Sequence, residues 1–334
     1  MKTSLKNKVL ELLRNHQGSY VPQSFIYRAL GASKSRVSEI LSELEHEGLI
    51  SRITVGRTKI VYIYPQLREA DFELKQRVLK LGIVFSSEYL FLGDFIKKLR
   101  EKNINVEVIV YRDGLEATIA LAKNAVDLAL SPLVGQLYIY PVYRTYKVIL
   151  AGLKGGFRVL SSKAGDAVYS SIISTMDYVR HYLVSRKLIE ASETLYYKDP
   201  GQITSLFKRK GGYVVTWHPV YLELEKHGFR ELYTPSELEI DFCCTLGISN
   251  TVGKRTYKLI KEAYLASIDE YARNPGRNIE YYASLTGIDT SVLKTAVDEY
   301  KVSSELGLET IDKLVNAYAF NIPSRSKYIE ACDA

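Results

Sequence analysis

Leu5, Val9, Leu12 and Leu13 fall at helical spacing on one face of the first segment, and His16-Gln17-Gly18-Ser19 ends it. A second short helix is predicted to open at Pro22, where a first-turn proline is tolerated, and to run to Leu30. Gly31-Ala32-Ser33 then forms a tight turn with Ser33 as N-cap. Val37, Ile40, Leu41 and Leu44 give the third helix its apolar stripe, and Gly48 closes it. Two β-rich runs follow at 49–55 and 59–64, joined by Gly56-Arg57-Thr58, with Pro65 after them. A short turn between helices two and three, with a hairpin directly after the third, is the order of a winged helix-turn-helix.

From Val78 the rhythm changes to strand and helix in alternation. Strands are predicted at 78–85, 105–111 and 126–130, with helices at about 89–102 and from 115 through Asn124 between them. Parallel strands are expected from that order, with ligands outside their carboxyl ends. Residues 66–77 are charge-mixed and free of Gly and Pro, so a short linking helix is predicted there. The last part, 301–334, has Leu306, Leu308, Ile311, Leu314, Val315 and Tyr318 at largely helical spacing behind a cap at Ser304, and is expected as a helical extension.

Two stretches resemble known families. Leu41-Ser42-Glu43-Leu44-Glu45-His46-Glu47-Gly48-Leu49-Ile50 resembles the L-x-x-L-E-x-x-G-L-I passage of MarR-like winged-helix regulators. The Gly-Ile-Val strand, the helix ending in Lys97-Lys98-Leu99-Arg100, then Val106-Glu107-Val108-Ile109-Val110-Tyr111-Arg112-Asp113-Gly114 and Ala125-Val126-Asp127-Leu128-Ala129-Leu130-Ser131-Pro132 are similar to the first lobe of type 2 solute-binding proteins, of the nitrate/sulfonate/taurine kind. Downstream, Arg158 to Ser161 resembles the hinge strand. Gly211 to Pro219 resembles a strand leading to a W-x-P turn, and 222–232 the helix after it. The resemblance implies an α/β fold overall: a winged helix-turn-helix at 1–65, a linker at 66–77, and a two-lobed solute-binding-protein-like domain at 78–300. Lobe one would take about 78–156 and 241–300, lobe two about 157–240. Such domains also serve as effector sensors of cytoplasmic regulators, so the combination implies a one-component, sequence-specific DNA-binding transcriptional regulator that responds to a small-molecule effector.

Length and composition fit that division. A chain of 334 residues exceeds what one core usually supports. No apolar run approaches the roughly 18–20 residues that cross a bilayer, so no membrane partner is expected. The first residues are amphipathic, contain Glu11 and lack a signal-peptide pattern, which makes the cytoplasm the expected location. Residues 1–66 hold ten Lys/Arg against five acids, a net of +5 out of +7 for the whole chain. A basic first fifth on a nearly neutral body is the pattern of a nucleic-acid module carried by something else.

If the apolar stripe of the third helix faces inward, Ser33, Lys34, Ser35, Arg36 and Ser38 lie at its exposed N-terminal end, the part that reaches base edges. Arg36 is suited to reading guanine bidentately, and Arg57, Thr58 and Lys59 at the hairpin tip to phosphate or minor-groove contact. A homodimer on a roughly palindromic site in double-stranded DNA is expected. For the effector, the candidates are Ser86, Ser87 and Glu88, then Asp113, Ser131 and Pro132, then Ser161 and Ser162, and finally Ser174, Trp217 and His218. Ser174 opens a capping box with Asp177, and a helix N-terminus facing a cleft can hold an anion. Glu88 favours instead a ligand carrying an amine, amide or ring nitrogen.

No catalytic residue, cofactor or metal is expected. There is no G-x-S-x-G, P-loop or dinucleotide fingerprint, and Gly152 to Gly156 lacks the helix opening such a fingerprint needs. The three cysteines, Cys243, Cys244 and Cys332, show no zinc-ligand spacing and are expected reduced and packed in strand. Two other function classes stay open. One is an enzyme on the same fold with an autoregulatory DNA-binding domain. Asp241-Phe242-Cys243-Cys244 faintly resembles the cysteine-rich stretch of thiamine-pyrimidine synthases, but two cysteines without a further Cys or His cluster do not make an iron site. The other is a winged-helix scaffold that docks protein.

Overall fold

A computed structural model describes residues 5–16, 20–46, 50–55, 58–63, 78–162, 165–199, 201–203, 205, 211–240, 242–303, 306–317 and 325–333. Arg57, Gly48, Ser304 and the predicted linking helix at 66–77 lie outside these residues. The chain divides into two compact units, one from Met1–Arg77 with Asn250–Lys254, the other from Val78–Ser249 with Arg255–Ala334.

The first unit holds helices α1 (Leu5–Arg14), α2 (Gln23–Ala29) and α3 (Lys34–His46) and strands β1 (Tyr20–Pro22), β2 (Ile50–Val55) and β3 (Thr58–Ile63). The strands form an antiparallel sheet in the order β1-β3-β2. Val37, Ile40, Leu41 and Leu44 are buried against Val9, Leu13, Val21, Ile26, Ile50 and Val61. Ser33 Oγ accepts the Arg36 amide at 3.3 Å and so caps α3. Arg52 ties β2 back to α3: its guanidinium donates to Glu45 Oε2 at 2.6 and 2.8 Å and to Ser42 Oγ at 2.9 Å. Strand β1 is not foreseen by the pattern, because three residues show too little alternation to read. Only Val21 points inward, while Tyr20 meets the Tyr62 ring at 4.7 Å across the sheet. Pro22 consequently stands at the N-cap of α2 and ends β1, rather than opening the first turn.

The second unit is mixed α/β, built on two sheets. Its larger sheet begins with β4 (Val78–Val84), α4 (Leu92–Glu101), β5 (Asn105–Tyr111), α5 (Gly114–Ala122) and β6 (Leu128–Pro132). Strand β4 runs parallel to both β5 and β6, the arrangement expected for alternating strands and helices. After α6 (Leu133–Tyr143) the chain makes β7 (Tyr146–Gly155) and crosses at Gly156 into the smaller sheet through β8 (Phe157–Ser161). That sheet adds β9 (Ala167–Ser170), β10 (Glu193–Tyr196), β11 (Tyr213–Trp217) and β12 (Arg230–Tyr233), in the order β10-β9-β11-β8-β12. Helix α7 (Thr175–Ser185) follows β9, and α8 (Val220–Lys226) follows β11.

The chain returns through β13 (Cys244–Ser249), which inserts antiparallel between β6 and β7. Helices α9 (Lys254–Arg273), α10 (Ile279–Thr286) and α11 (Thr290–Glu299) come next, then α12 (Leu308–Ala317) and α13 (Arg325–Ala331). The segment 301–334, expected as helical only, also supplies strand. Most of β14 (Tyr300–Ser303) and all of β15 (Cys332–Asp333) lie in it, and both pair with β7. Asp333 is fixed there by Tyr257 and Lys261 of α9, each at 2.8 Å. Two- and four-residue strands beside strong helical spacing leave almost no periodic signal.

Insertion of β13 needs a close approach to β7. Thr245 pairs with Gly152, and a Cβ on Gly152 would lie 2.1 Å from the Cys244 carbonyl oxygen. Gly152→Ala should therefore force the strands apart and cost about 1–3 kcal/mol or more. Gly276→Ala, whose Cβ would meet nothing closer than Ile279 at 3.7 Å, should be near neutral. Urea denaturation of the two variants checks this, and equal midpoints would contradict the close-approach account.

Candidate functional site

The carboxyl ends of β4 and β6 and the entry to β13 meet the start of α7 and the end of β11 around a small cavity of about 30 Å³. Val84, Ser86, Glu88 and Tyr89 line it from β4 onward, Gly114 from the start of α5, and Pro132 from β6. Ser171, Ser174, Thr175 and Met176 come from the other sheet's side, with Trp217, while Cys243 and Cys244 close the wall. This is the crevice where ligands bind in sheets of this construction. Gly114 is needed there because a Cβ would stand 2.5 Å from Pro132.

Glu88 is the chemical centre of the wall. It is buried, and its two oxygens have different partners: Oε1 accepts the Cys244 amide at 3.0 Å, and Oε2 accepts the Cys243 thiol at 3.2 Å. Burial pushes its carboxyl up to about 7, against the opposing pull of those donors. The Cys243 and Cys244 thiols are likewise raised: Cys244 mainly by burial, Cys243 by burial and the nearby Glu88 charge, although the bond from Cys244 lowers it. Their Sγ atoms are 3.8 Å apart, and all three cysteines of the chain are free and buried. Among the described residues, Glu88, Cys243 and Cys244 form a group whose ligand atoms lie within 4.8 Å of one another, close enough to hold a metal ion. No spacing in the sequence announces this, since the fold brings Glu88 from 155 residues away.

A second set of bonds joins the two sheets beside the cavity. Trp217 Nε1 donates to the Phe85 carbonyl at 2.8 Å, and its ring stacks on Tyr197. Ser87 Oγ bonds His218 Nδ1, whose Nε2 is 3.0 Å from Thr295 Oγ1. Burial first, then the Arg158 charge, lowers the His218 imidazole to about 4, so it is neutral at neutral pH. Arg158 itself is held by Glu231 and Glu299 at 2.5 and 2.7 Å.

Of the residues singled out from sequence for the effector, Ser86, Glu88, Pro132, Ser174 and Trp217 line the cavity. Ser174 Oγ also caps α7 by accepting the Asp177 amide at 3.3 Å. Ser87 and His218 stand behind the wall and are occupied with each other. Asp113 is taken up as the N-cap of α5, accepting the Glu116 amide at 2.8 Å, and Ser131 accepts the Thr118 hydroxyl at 2.9 Å. Neither lines the cavity. Ser161 and Ser162 lie elsewhere: Ser161 pairs with Tyr213 while Phe157 pairs with Trp217, which places Ser161 about 13 Å along the strand from the tryptophan. β8 enters the second sheet at its Phe157 end, the end that pairs with the lining residue Trp217.

Sequence reasoning missed Val84, Ser171, Thr175, Met176, Cys243 and Cys244 as lining residues. Tyr89 lines the cavity, whereas Tyr138 and Tyr143 are exposed and Tyr140 bonds Glu330. For the cysteines a signal existed, their adjacency at the strand that returns to the first sheet. On the first unit, Ser33, Lys34, Ser35, Arg36, Thr58 and Lys59 are exposed and Ser38 is half-buried.

Residues 3–64 match a family model described as a domain of unknown function (DUF7343). No curated protein matches the chain. Solved structures match the larger part: the alkanesulfonate-binding protein SsuA from Xanthomonas axonopodis pv. citri bound to MOPS is 14% identical, with a TM-score of 0.63 over 77% of this chain and 98% of that one. The periplasmic aliphatic sulphonate binding protein SsuA from Escherichia coli is also 14% identical, with a TM-score of 0.61 over 77% and 97%. The Candida albicans CA3427 gene product, described as exhibiting the generic periplasmic binding protein structural fold, gives 13%, 0.60, 77% and 96%. Over 77% of its length the chain thus has a type 2 periplasmic-binding-protein-like fold. Among the described residues, no helix is long and apolar enough to cross a membrane.

Glu88 and His218 give stability opposite pH dependences. With Glu88 raised, the native state holds the extra proton between about 4.5 and 7, so its contribution is full below 4.5 and lost as pH rises through 7. With His218 lowered, the contribution is full above 6.5 and lost as pH falls through about 4. Each amounts to about 3 kcal/mol, and the two largely cancel in the wild type. Measured with a chelator present, Glu88→Gln should gain on the wild type by that order as pH rises from 4.5 to 7. The deficit of His218→Gln should shrink as pH falls from 6.5 to 4. Differences from wild type that stay flat with pH would sink both assignments.

Proposed function

We propose that the chain is a cytoplasmic one-component transcriptional regulator: its first unit is a winged helix-turn-helix that binds double-stranded DNA as a homodimer, and its second unit senses a small polar solute. The observation that carries the DNA half is the face of α3. Its stripe of Val37, Ile40, Leu41 and Leu44 is wholly inward, which leaves Lys34, Ser35 and Arg36 exposed at the N-terminal end, with the β2–β3 hairpin following. The β2–β3 hairpin directly after α3, with β1 from between α1 and α2 pairing on β3, supports the same reading.

The sensing half is supported by a fold shared with sulfonate-binding neighbours and by a cavity at the sheet crevice that mixes hydroxyls, a carboxyl and an aromatic ring. A solute held between two sheets favours a closed arrangement over an open one. Such a difference in affinity is what can shift a dimer's fit to two half-sites. In this reading the protein turns nothing over, and the cavity is an input.

Gel-shift titration with promoter fragments should give binding that weakens steeply with salt. Arg36→Glu should lower affinity for the specific site at least tenfold and flatten the preference over random DNA. Lys59→Ala should weaken both alike, as expected of a phosphate contact. Equal losses for the two variants on both DNAs would refute this division of labour, and sustained turnover of a cavity ligand would favour an enzyme instead.

A further inference from the structure

Three potential ligand atoms converge on the cavity wall from residues far apart in sequence. Adjacent residues of a regular strand point to opposite faces. Cys243 precedes β13, its carbonyl taken by the Leu133 amide at 2.9 Å, and the chain there turns so that both sulfurs lie on one side. The sulfurs are 3.8 Å apart. Two thiolates on one tetrahedral Zn2+ at about 2.3 Å each would stand about 3.8 Å apart, whereas a linear arrangement at that bond length needs about 4.6 Å. Glu88 Oε2 lies 3.2 Å from Cys243 Sγ, against about 3.6 Å for a tetrahedral sulfur–zinc–oxygen angle. An opening of a few tenths of an ångström would therefore seat a cation in place of the shared thiol proton.

We infer that Glu88, Cys243 and Cys244 form a three-ligand site for a borderline-soft divalent cation of the Zn2+ class, with the fourth coordination position facing the cavity.

Donor chemistry selects the class: two sulfurs disfavour Ca2+ and Mg2+, and the tetrahedral sulfur spacing disfavours cations that prefer two ligands in line. The surroundings are prepared for it. The Cys244 amide fixes Oε1 of Glu88 and so orients the carboxyl with Oε2 turned to the sulfurs, the kind of outer contact that aims a metal ligand. Thr175, buried on the opposite wall, approaches Cys243 with its Oγ1 but completes no hydrogen bond. A water or solute atom in the fourth position would offer that hydroxyl the partner it lacks. Binding replaces the two thiol protons and any proton held by the Glu88 carboxyl, all of which leave to solvent, and no electrons move. The inference deepens the sensing reading by naming a cation as part of the input, and it rests on that reading only for its consequence at DNA.

The test is Co2+ titration of the reduced, chelator-stripped full-length protein, followed by absorption. The expected result is one equivalent of Co2+ giving a near-ultraviolet sulfur-to-cobalt charge-transfer band and the intense visible bands of a tetrahedral ion, both erased by Zn2+. Cys243→Ser and Cys244→Ser should each remove at least half of the charge-transfer band, and Glu88→Gln should weaken Co2+ affinity at least tenfold. Cys332→Ser should leave the spectrum unchanged. Absence of the band in the folded wild type overturns the site, as does its persistence when both cysteines are replaced, or a Cys243–Cys244 disulfide that survives reductant. Gel shifts with and without Zn2+ are read separately. A cobalt spectrum without any effect on DNA supports the site and counts against the sensing role, whereas no spectrum refutes the site whatever the DNA result.

Discussion

A carboxyl with no exposed surface must find its hydrogen bonds within the protein or stay protonated, and Glu88 sets that condition for the second unit. The donors that meet it come from the other end of the sheet's history: the Cys244 amide and the Cys243 thiol arrive only when the chain has left for the second sheet and returned. Their arrival depends in turn on β13 fitting between β6 and β7, which Gly152 permits. Two crossings between sheets, a glycine and a strand register therefore all bear on one carboxyl. An unmet buried donor or acceptor costs about 1–3 kcal/mol, more when charged, so a misplaced β13 is penalised at the cavity as well as in the sheet.

The two sheets of the second unit meet along the same crevice. Hydrogen bonds that join the sheets there include the Trp217–Phe85 bond and the Ser87–His218 pair. Neutral hydrogen bonds of this sort contribute about 0.5–1.5 kcal/mol each, so parting them is far cheaper than unfolding either sheet. His218 keeps that seam free of charge, because burial and Arg158 both disfavour the imidazolium. The stronger ionic cluster of Arg158 with Glu231 and Glu299 also bridges sheets, since Glu299 directly precedes β14 while Arg158 and Glu231 lie on β8 and β12. It sits where the chain crosses between the sheets at Gly156.

Much of this architecture is readable in the sequence where patterns are long. The strand–helix alternation after Val78 and the stripe on α3 extend over enough residues for periodicity to speak, and the parallel set β5-β4-β6 follows from it. Short elements defeat the same method, as β1, β14 and β15 show. At the site, Ser86 and Glu88 after β4 and Trp217 at the end of β11 were identifiable because the fold class puts ligands there. Asp113 and Ser131 were equally well placed in sequence, but an N-cap and a Thr118 contact had first claim on their side chains. Ser161 failed for a topological reason, since β8 runs antiparallel to β11 and carries it away from Trp217. The Glu88–Cys243–Cys244 grouping depends on tertiary return of the chain and on a local turn, neither of which leaves a spacing to recognise.

Charge counting on the first unit needs a similar correction from the structure. The net of +5 treats every cation alike, yet their engagements differ. Arg52 is largely buried and spends its guanidinium on Glu45 and Ser42, holding the hairpin to α3. Removing it would loosen the framework rather than subtract a surface charge. Arg36 is also paired, with Glu39 at 3.1 Å, but both partners are exposed and one turn apart. Such a pair is worth at most a few tenths of a kcal/mol, so a phosphate or a guanine edge can displace Glu39 at little cost. Lys34 lies 5.5 Å over the Tyr27 ring, a contact that steadies its direction without neutralising it. Among the described residues, the exposed cations at the start of α3 and on the hairpin are Lys34, Arg36 and Lys59, while the charge of Arg52 serves the fold.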